Sequence, residues 1–258
     1  MKKILFHLFL MLFWALTIPG YAGQHPDRVT QISTLNALLA GIYDGHVTIH
    51  QLKGYGNFGL GTFNGLDGEM VFVDGHVYQV PYNGHPLEPS DSTGIPFAVV
   101  TFFNTDKTFT LTPGMDYPGL KTFLKPLLPT RNIFYAVKIT GLFKSVTTRS
   151  VKRQHRPFPP LKDVVKDEAI FHIKDVEGTI VGFISPPWIQ GINVPGYHLH
   201  FINKQKNAGG HVLKFQVEHA VLEVDSISEL SILLPHNPDF YKADLAHSQA
   251  ATIRNVER

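Results

Sequence analysis

Alternation of apolar and polar residues with a period of two, broken by Asp-Gly and Pro/Gly-rich steps, governs most of this chain and restricts it to a fold built mainly from strands. The run EMVFVDGHVYQV (69–80) sets two β-prone stretches on either side of Asp74-Gly75. A two-residue Asp-Gly connection carries the twist that joins antiparallel strands, so a hairpin is expected there. HVTIHQL, FAVVTFF (97–103), TFTLT (108–112) and NIFYAVKITG (132–141) read as further strands, as do EAIFHI and TIVGFI around Glu177-Gly178. YHLHFIN and HVLKFQVEHAVLEV close the series. Helical spacing is confined to short pieces: 31–42, where Ile32, Leu35, Leu38, Leu39 and Ile42 share a face; 119–128, cut short by Pro126; and 238–247. The expected class is α+β and strand-dominated, with two β-rich halves, mixed and antiparallel sheets and a few short helices.

The first 22 residues stand apart from this pattern. Lys2 and Lys3 precede an apolar run from Ile4 to Ile18, and Gly20 and Ala22 follow as small residues at A-x-A-like positions. That is the layout of a signal peptide cleaved after Ala22, since about 15 apolar residues fall short of the ~20 that span a bilayer. The expected protein is exported, periplasmic or secreted, with no stable membrane anchor after cleavage. The mature chain divides at the proline-stiffened QHRPFPPL (154–161), giving an N-terminal β-rich domain over 23–153 and a C-terminal one over 154–258 that carries the candidate metal site. A formal charge of +2 with no polybasic run argues against a nucleic-acid partner. The chain has no cysteine, so no disulfide braces it and any metal must be held by nitrogen and oxygen ligands.

Such ligands are concentrated in GYHLHFINKQKNAGGH (196–211). Alternation along a strand sends His198 and His200 to one face and Tyr197, Leu199 and Phe201 to the other. If 197–203 pairs antiparallel with 208–214 across KQKN, His211 falls opposite His200, where side chains share a face with Cβ atoms ~4.5 to 5.5 Å apart. Gly209 and Gly210 permit the backbone to bend beside the site. Three neutral imidazoles around one ion leave a position for water or substrate, the arrangement of catalytic rather than structural zinc, although iron and manganese accept the same ligands.

The segments GNFGLGTFNGLDGEM (56–70), GLFKSVTTRSV (141–151), RPFPPL (156–161) and PGYHLHFINKQKNAGGHVL (195–213), in that order, resemble the alpha-acetolactate decarboxylases from about residue 30 to the C-terminus. The resemblance implies a zinc enzyme, without organic cofactor, that converts the small molecule 2-acetolactate to (R)-acetoin and carbon dioxide in acetoin biosynthesis, and it suggests a homodimer. It places the zinc ligands on His198, His200 and His211. It places catalytic groups on Glu69, Arg149 and Glu257, and substrate-binding groups on Thr62 and Arg149. For Glu257 to act, the C-terminal tail must fold back over the site. The chain departs from the commoner family pattern in the loop NKQKN and at Ser150, where threonine is frequent; neither change removes a functional group.

The residue chemistry is compatible. A 2-hydroxy-3-keto acid can chelate a cation through two oxygens, which stabilises the enediolate left when the carboxylate departs. The planar fork of Arg149 suits the carboxylate or the enediolate. One face of the enediolate must receive the proton, and Glu69, Glu257 and Arg149 are the candidates for delivering it. Two rivals use the same histidines. A cupin-like or zinc-hydroxide metalloenzyme is one, although a cupin needs a glutamate where Asn203 and Lys204 stand. The other is a non-catalytic periplasmic β protein that binds metal or carbohydrate, the latter through exposed aromatics such as Trp188.

Overall fold

The computed structural model describes residues 27–246; the expected signal segment, its cleavage after Ala22 and Glu257 lie outside them. In chain order the elements are β1 (Arg28–Ile32), α1 (Leu35–Leu39), β2 (Val47–Thr48), α2 (Ile49–Leu52), β3 (Phe58–Thr62), β4 (Glu69–Val73), β5 (His76–Val80), β6 (Gly94–Ile95), β7 (Phe97–Thr101), β8 (Lys107–Leu111), α3 (Tyr117–Leu124), β9 (Phe134–Ser150), α4 (Leu161–Val164), β10 (Ala169–Ser185), β11 (Gly196–Asn203), β12 (Gly209–Ile227), β13 (Glu229–Leu233) and α5 (Pro238–Lys242). The strand-dominated α+β class is as expected, with mixed and antiparallel sheets and short helices.

Two sheets carry the fold. The first has the order β13-β1-β7-β3-β4-β5, and the second β11-β10-β9-β12-β8, with a further β11–β12 pairing that closes a ring of four strands. Their facing surfaces meet in an apolar layer containing Leu60, Val71, Val80, Ala136, Val181 and Phe183. The opposite face of the second sheet, with Leu199, Phe201 and Phe143, packs under α3. The opposite face of the first, with Met70, Phe72 and Val100, is covered by Ile49 and Leu52 of α2.

The strands do not assort about residue 154. Both β8 and β9 lie in the second sheet with the C-terminal strands, and β13 returns to pair in parallel with β1 of the first. Edge pairing, rather than chain order, decides membership, and the proline-rich passage crosses between β9 and α4. Three local expectations also shift. The stretch 31–42 is helical only from Leu35 to Leu39, because β-branched Val29, Thr30 and Ile32 pair with β7 and β13, Ser33 turns the chain at φ 62°, and the Thr34 side chain caps Ala37. HVTIHQL gives two strand residues and then α2, nucleated by a capping box between Thr48 and Gln51. EAIFHI and TIVGFI join into the single strand β10, whose full length is held by β9. At Asp74-Gly75 the turn is as read: φ is 51° and 83°, positive at both central residues.

One buried acid in this framework sets a pH dependence. Asp225, on β12 and 3% exposed, accepts a hydrogen bond from the Asn104 amide at 3.0 Å. Burial pushes its carboxyl up to about 6; the Asn104 bond opposes this, while Asp27 and Asp106 add to it. The folded chain therefore binds this proton more tightly than the unfolded chain. The associated stability is complete below about pH 4 and is lost as pH rises through 6. Asp225→Asn keeps an acceptor without the charge. In thermal melts it is expected to stabilise the protein by about 1–2 kcal/mol at pH 7.5 and by almost nothing at pH 4, with part of the full shift discounted for solvent screening.

Candidate metal centre

The site forms where the inner faces of the two sheets meet. From the second sheet, β11 and β12 pair antiparallel with His200 opposite His211, as expected from the hairpin. On its other edge β12 sets His211 opposite Arg149 of β9, so His200, His211 and Arg149 form one cross-strand row, with His198 two residues along β11 from His200. From the first sheet, Thr62 of β3 is opposite Glu69 of β4. All six side chains line one cavity of about 50 Å³ closed by Leu35, Leu38, Phe97 and Leu161. The six are buried, Glu69 being the most accessible at 9%.

Gly210 makes the row possible. Its φ is +128°, and a Cβ there would collide with the carbonyl oxygen of Arg149, so only glycine lets β12 close on β9 at this point. Gly210→Ala is expected to cost about 2–4 kcal/mol and to spread His211 from its partners. Calorimetry and zinc titration would register the two effects together; a variant with an unchanged melt would contradict the packing argument.

The three imidazoles have ring centroids 5.0, 5.0 and 5.3 Å apart, and their ligand nitrogens all lie within 4.8 Å of one another. Burial drives each toward the neutral form. His198 is pushed down to about 3 by desolvation and by Arg149. His200 is held well below the usual imidazole range by desolvation, then by His198, against a raising bond to Met70. His211 follows from desolvation, then Arg149 and the other two rings.

The donor set is one that could hold a metal ion. Nδ1 of His200 lies 2.7 Å from the Met70 carbonyl, which can only accept, so Nδ1 carries the hydrogen and Nε2 keeps its lone pair. That Nε2 is buried, has no hydrogen-bond partner among the described residues, and stands 3.5 Å from Oε2 of Glu69. Two acceptors facing each other away from water are unfavourable unless a proton or a cation lies between them. The trio thus fits a divalent ion of the zinc type, and the Met70 carbonyl is the outer partner that fixes the ring.

The sequence did not point to Glu168, whose Oε2 accepts from Nη1 of Arg149 at 2.8 Å, a part-buried pair that orients the guanidinium. Ile170 is opposite Arg149 in the β9–β10 ladder, which brings Glu168 within reach. Thr62 lines the cavity, but its hydroxyl donates to the Gly68 carbonyl at 2.7 Å and so holds the turn that leads into Glu69. Ser150 donates to the Val80 carbonyl at 2.7 Å, tying the two sheets beside the site. The cupin rival loses its position altogether. The Asn203 side-chain oxygen Oδ1 accepts from the Asn207 and Ala208 amides of the KQKN turn, and Lys204 pairs with Glu177 on the surface.

These features define a class: a strand-dominated enzyme whose buried three-histidine site is able to hold a metal ion. The family model described as alpha-acetolactate decarboxylase matches residues 29–247. The chain is 42% identical to the alpha-acetolactate decarboxylase of Methanosarcina mazei, over 93% of this chain and 84% of that protein, and 39% identical to that of Bacillus subtilis, over 88% and 89%. The crystal structure of the enzyme from B. subtilis strain 168 superposes with a TM-score of 0.87 at 38% identity, covering 89% of this chain and 98% of the other. The chain belongs to the alpha-acetolactate decarboxylase family and is, like its curated relatives, a carboxy-lyase.

Proposed function

We propose that the protein decarboxylates 2-acetolactate to (R)-acetoin and carbon dioxide with a divalent ion, zinc by preference, held by His198, His200 and His211, and so serves acetoin formation. The observation that carries this reading is the lone pair of His200 Nε2 facing Glu69 in a cavity that also holds Arg149. Bound there, the ion supplies a Lewis acid beside the substrate's ketone and hydroxyl oxygens.

The chain's own residues do the rest. Arg149, kept in place by Glu168, receives the substrate carboxylate in a cavity that excludes bulk water and so strengthens the pairing. The bond between C2 and the carboxylate carbon breaks, carbon dioxide leaves, and the electron pair passes into the ketone to give an enediolate. Glu69 delivers a proton to one face of the former C2, which fixes the configuration of the product. Leu35, Leu38 and Phe97 form the apolar wall for the two methyl groups. Thr62 holds the backbone that presents Glu69, and Glu257 is reserved as a second acid from the C-terminal tail.

Racemic 2-acetolactate given to zinc-loaded protein tests the reading. Equal amounts of carbon dioxide and acetoin, with a single acetoin enantiomer, are the expected outcome. Metal-replete protein that releases neither would overturn it. A second measurement isolates Glu69: Glu69→Gln is expected to keep zinc and lower kcat by about 10²–10⁴-fold, the usual range for losing a positioned acid.

A further inference from the structure

The turn between β3 and β4 delivers Glu69 to the cavity, and its backbone is unusual. Gly65, Leu66 and Gly68 have φ of 75°, 53° and 79°. Glycine adopts such angles freely and leucine does not, so Leu66, which is buried and lines the metal cavity, is held in the left-handed region by its surroundings. A Cβ at Gly68 would collide with the Val80 carbonyl oxygen, because the turn lies directly on β5. Left-handed backbone carried by a side chain beside a reaction centre is a reason to ask what keeps it in place.

The start of the turn is held by backbone bonds. The Gly65 amide donates to the Tyr43 carbonyl at 2.9 Å, and the Gly65 carbonyl accepts from the Gln154 amide at 2.6 Å. The end is held by side chains from both faces of the first sheet. Thr62, on the cavity face, donates to the Gly68 carbonyl at 2.7 Å. Gln79 is opposite Met70 in the β4–β5 ladder and so lies on the other face, where its Nε2 donates to the Asp67 carbonyl at 2.7 Å. Its neighbours there, Met70, Phe72 and Val77, are apolar, and at 8% exposure a glutamine is unfavourable among them unless its amide is bonded. On the surface, Arg153 Nη1 reaches the Asp67 carboxylate at 3.3 Å.

The Asp67 and Gly68 carbonyls belong to the two planar peptide groups that flank the Gly68 α-carbon. Fixing both planes fixes the torsions of Gly68, and with them the direction in which the next residue leaves the turn. That residue is Glu69, the first of β4 and the last pair in its ladders with β3 and β5. We propose that Gln79 is a positioning residue for the decarboxylation: together with Thr62 it locks the peptide planes before Glu69 and thereby aims the carboxyl at one face of the substrate. Gln79 does not line the cavity and acts only through the turn. The proposal rests on Glu69 as the proton donor.

Gln79→Met keeps the length of the side chain and removes the donor; Gln79→Leu removes it with a different shape, so agreement between them separates the lost hydrogen bond from repacking. Both are assayed as zinc-loaded, full-length protein on racemic 2-acetolactate. Zinc should be retained, KM should stay within about twofold, and kcat should fall about tenfold, the scale of a misaimed rather than missing group. The acetoin should become a mixture of enantiomers where the parent yields one. A purely structural role would lower the active fraction and leave the enantiomer composition untouched. On a Glu69→Gln background, Gln79→Met should cost no more than about twofold in kcat, because both substitutions act on the same proton transfer. Unchanged enantiomer composition in both Gln79 variants, a rise in KM without a fall in kcat, or the full loss repeated on the Glu69→Gln background would overturn the proposal. Glu69→Gln turning over like the parent would instead remove Glu69 as the acid, and the role of Gln79 with it.

Discussion

His200→Ala is expected to purify without zinc and to lose at least about 10³-fold in turnover, because two imidazoles do not hold a catalytic ion against dialysis. The argument rests on the position of this ring. Its Nδ1 is committed to the Met70 carbonyl of the first sheet, and its Nε2 is the bare donor beside Glu69. Removing it takes away a ligand and an inter-sheet hydrogen bond together, and the latter alone costs about 1 kcal/mol. The parent protein should melt at a lower temperature after chelation, since an ion bound only to the folded chain is linked to folding. His200→Ala should show no such response. Elemental analysis with paired melts reads both, and a variant that keeps one zinc per chain would remove the trio from the metal site.

Arg149 is expected to give the opposite signature, in which metal is kept and chemistry is lost. Arg149→Met should retain zinc while kcat/KM falls by about 10³-fold, comparable to removing a preorganised electrostatic partner in other buried sites. Arg149→Lys restores charge without the fork and should recover only part of the loss. Glu168→Gln keeps a hydrogen-bond acceptor for Nη1 but removes the counter-charge, so its effect should be smaller, about tenfold, with the guanidinium less firmly aimed. Should Arg149→Met turn over like the parent, the cation would be structural and the assignment of carboxylate binding would fail.

The part of this architecture written in short-range pattern was legible in the sequence. Period-two alternation marked most of the strands, Asp74-Gly75 marked its turn, and the spacing of His198, His200 and His211 already placed one opposite another across KQKN. What escaped was set by long-range pairing. Ile32 has helical spacing with Leu35 and Leu39, yet a sheet edge on each side captures it. Glu168 becomes the partner of Arg149 only through the β9–β10 register, which nothing near residue 168 encodes. The anchor for His200 is a backbone carbonyl, and every residue has one, so no side-chain motif could reveal it. The strands on either side of residue 154 share both sheets for a related reason: proline marks where the chain is stiff, not which sheet the next strand joins.

The run from β12 into β13 carries a consequence for how the molecule comes apart. A single residue, Ser228, separates a strand of the second sheet from a strand of the first, where β13 lies beside β1. Neither layer can be peeled away without tearing an edge from the other. Fragments ending or starting near residue 154 are therefore expected to be insoluble alone, and the intact molecule to lose both layers in one calorimetric peak.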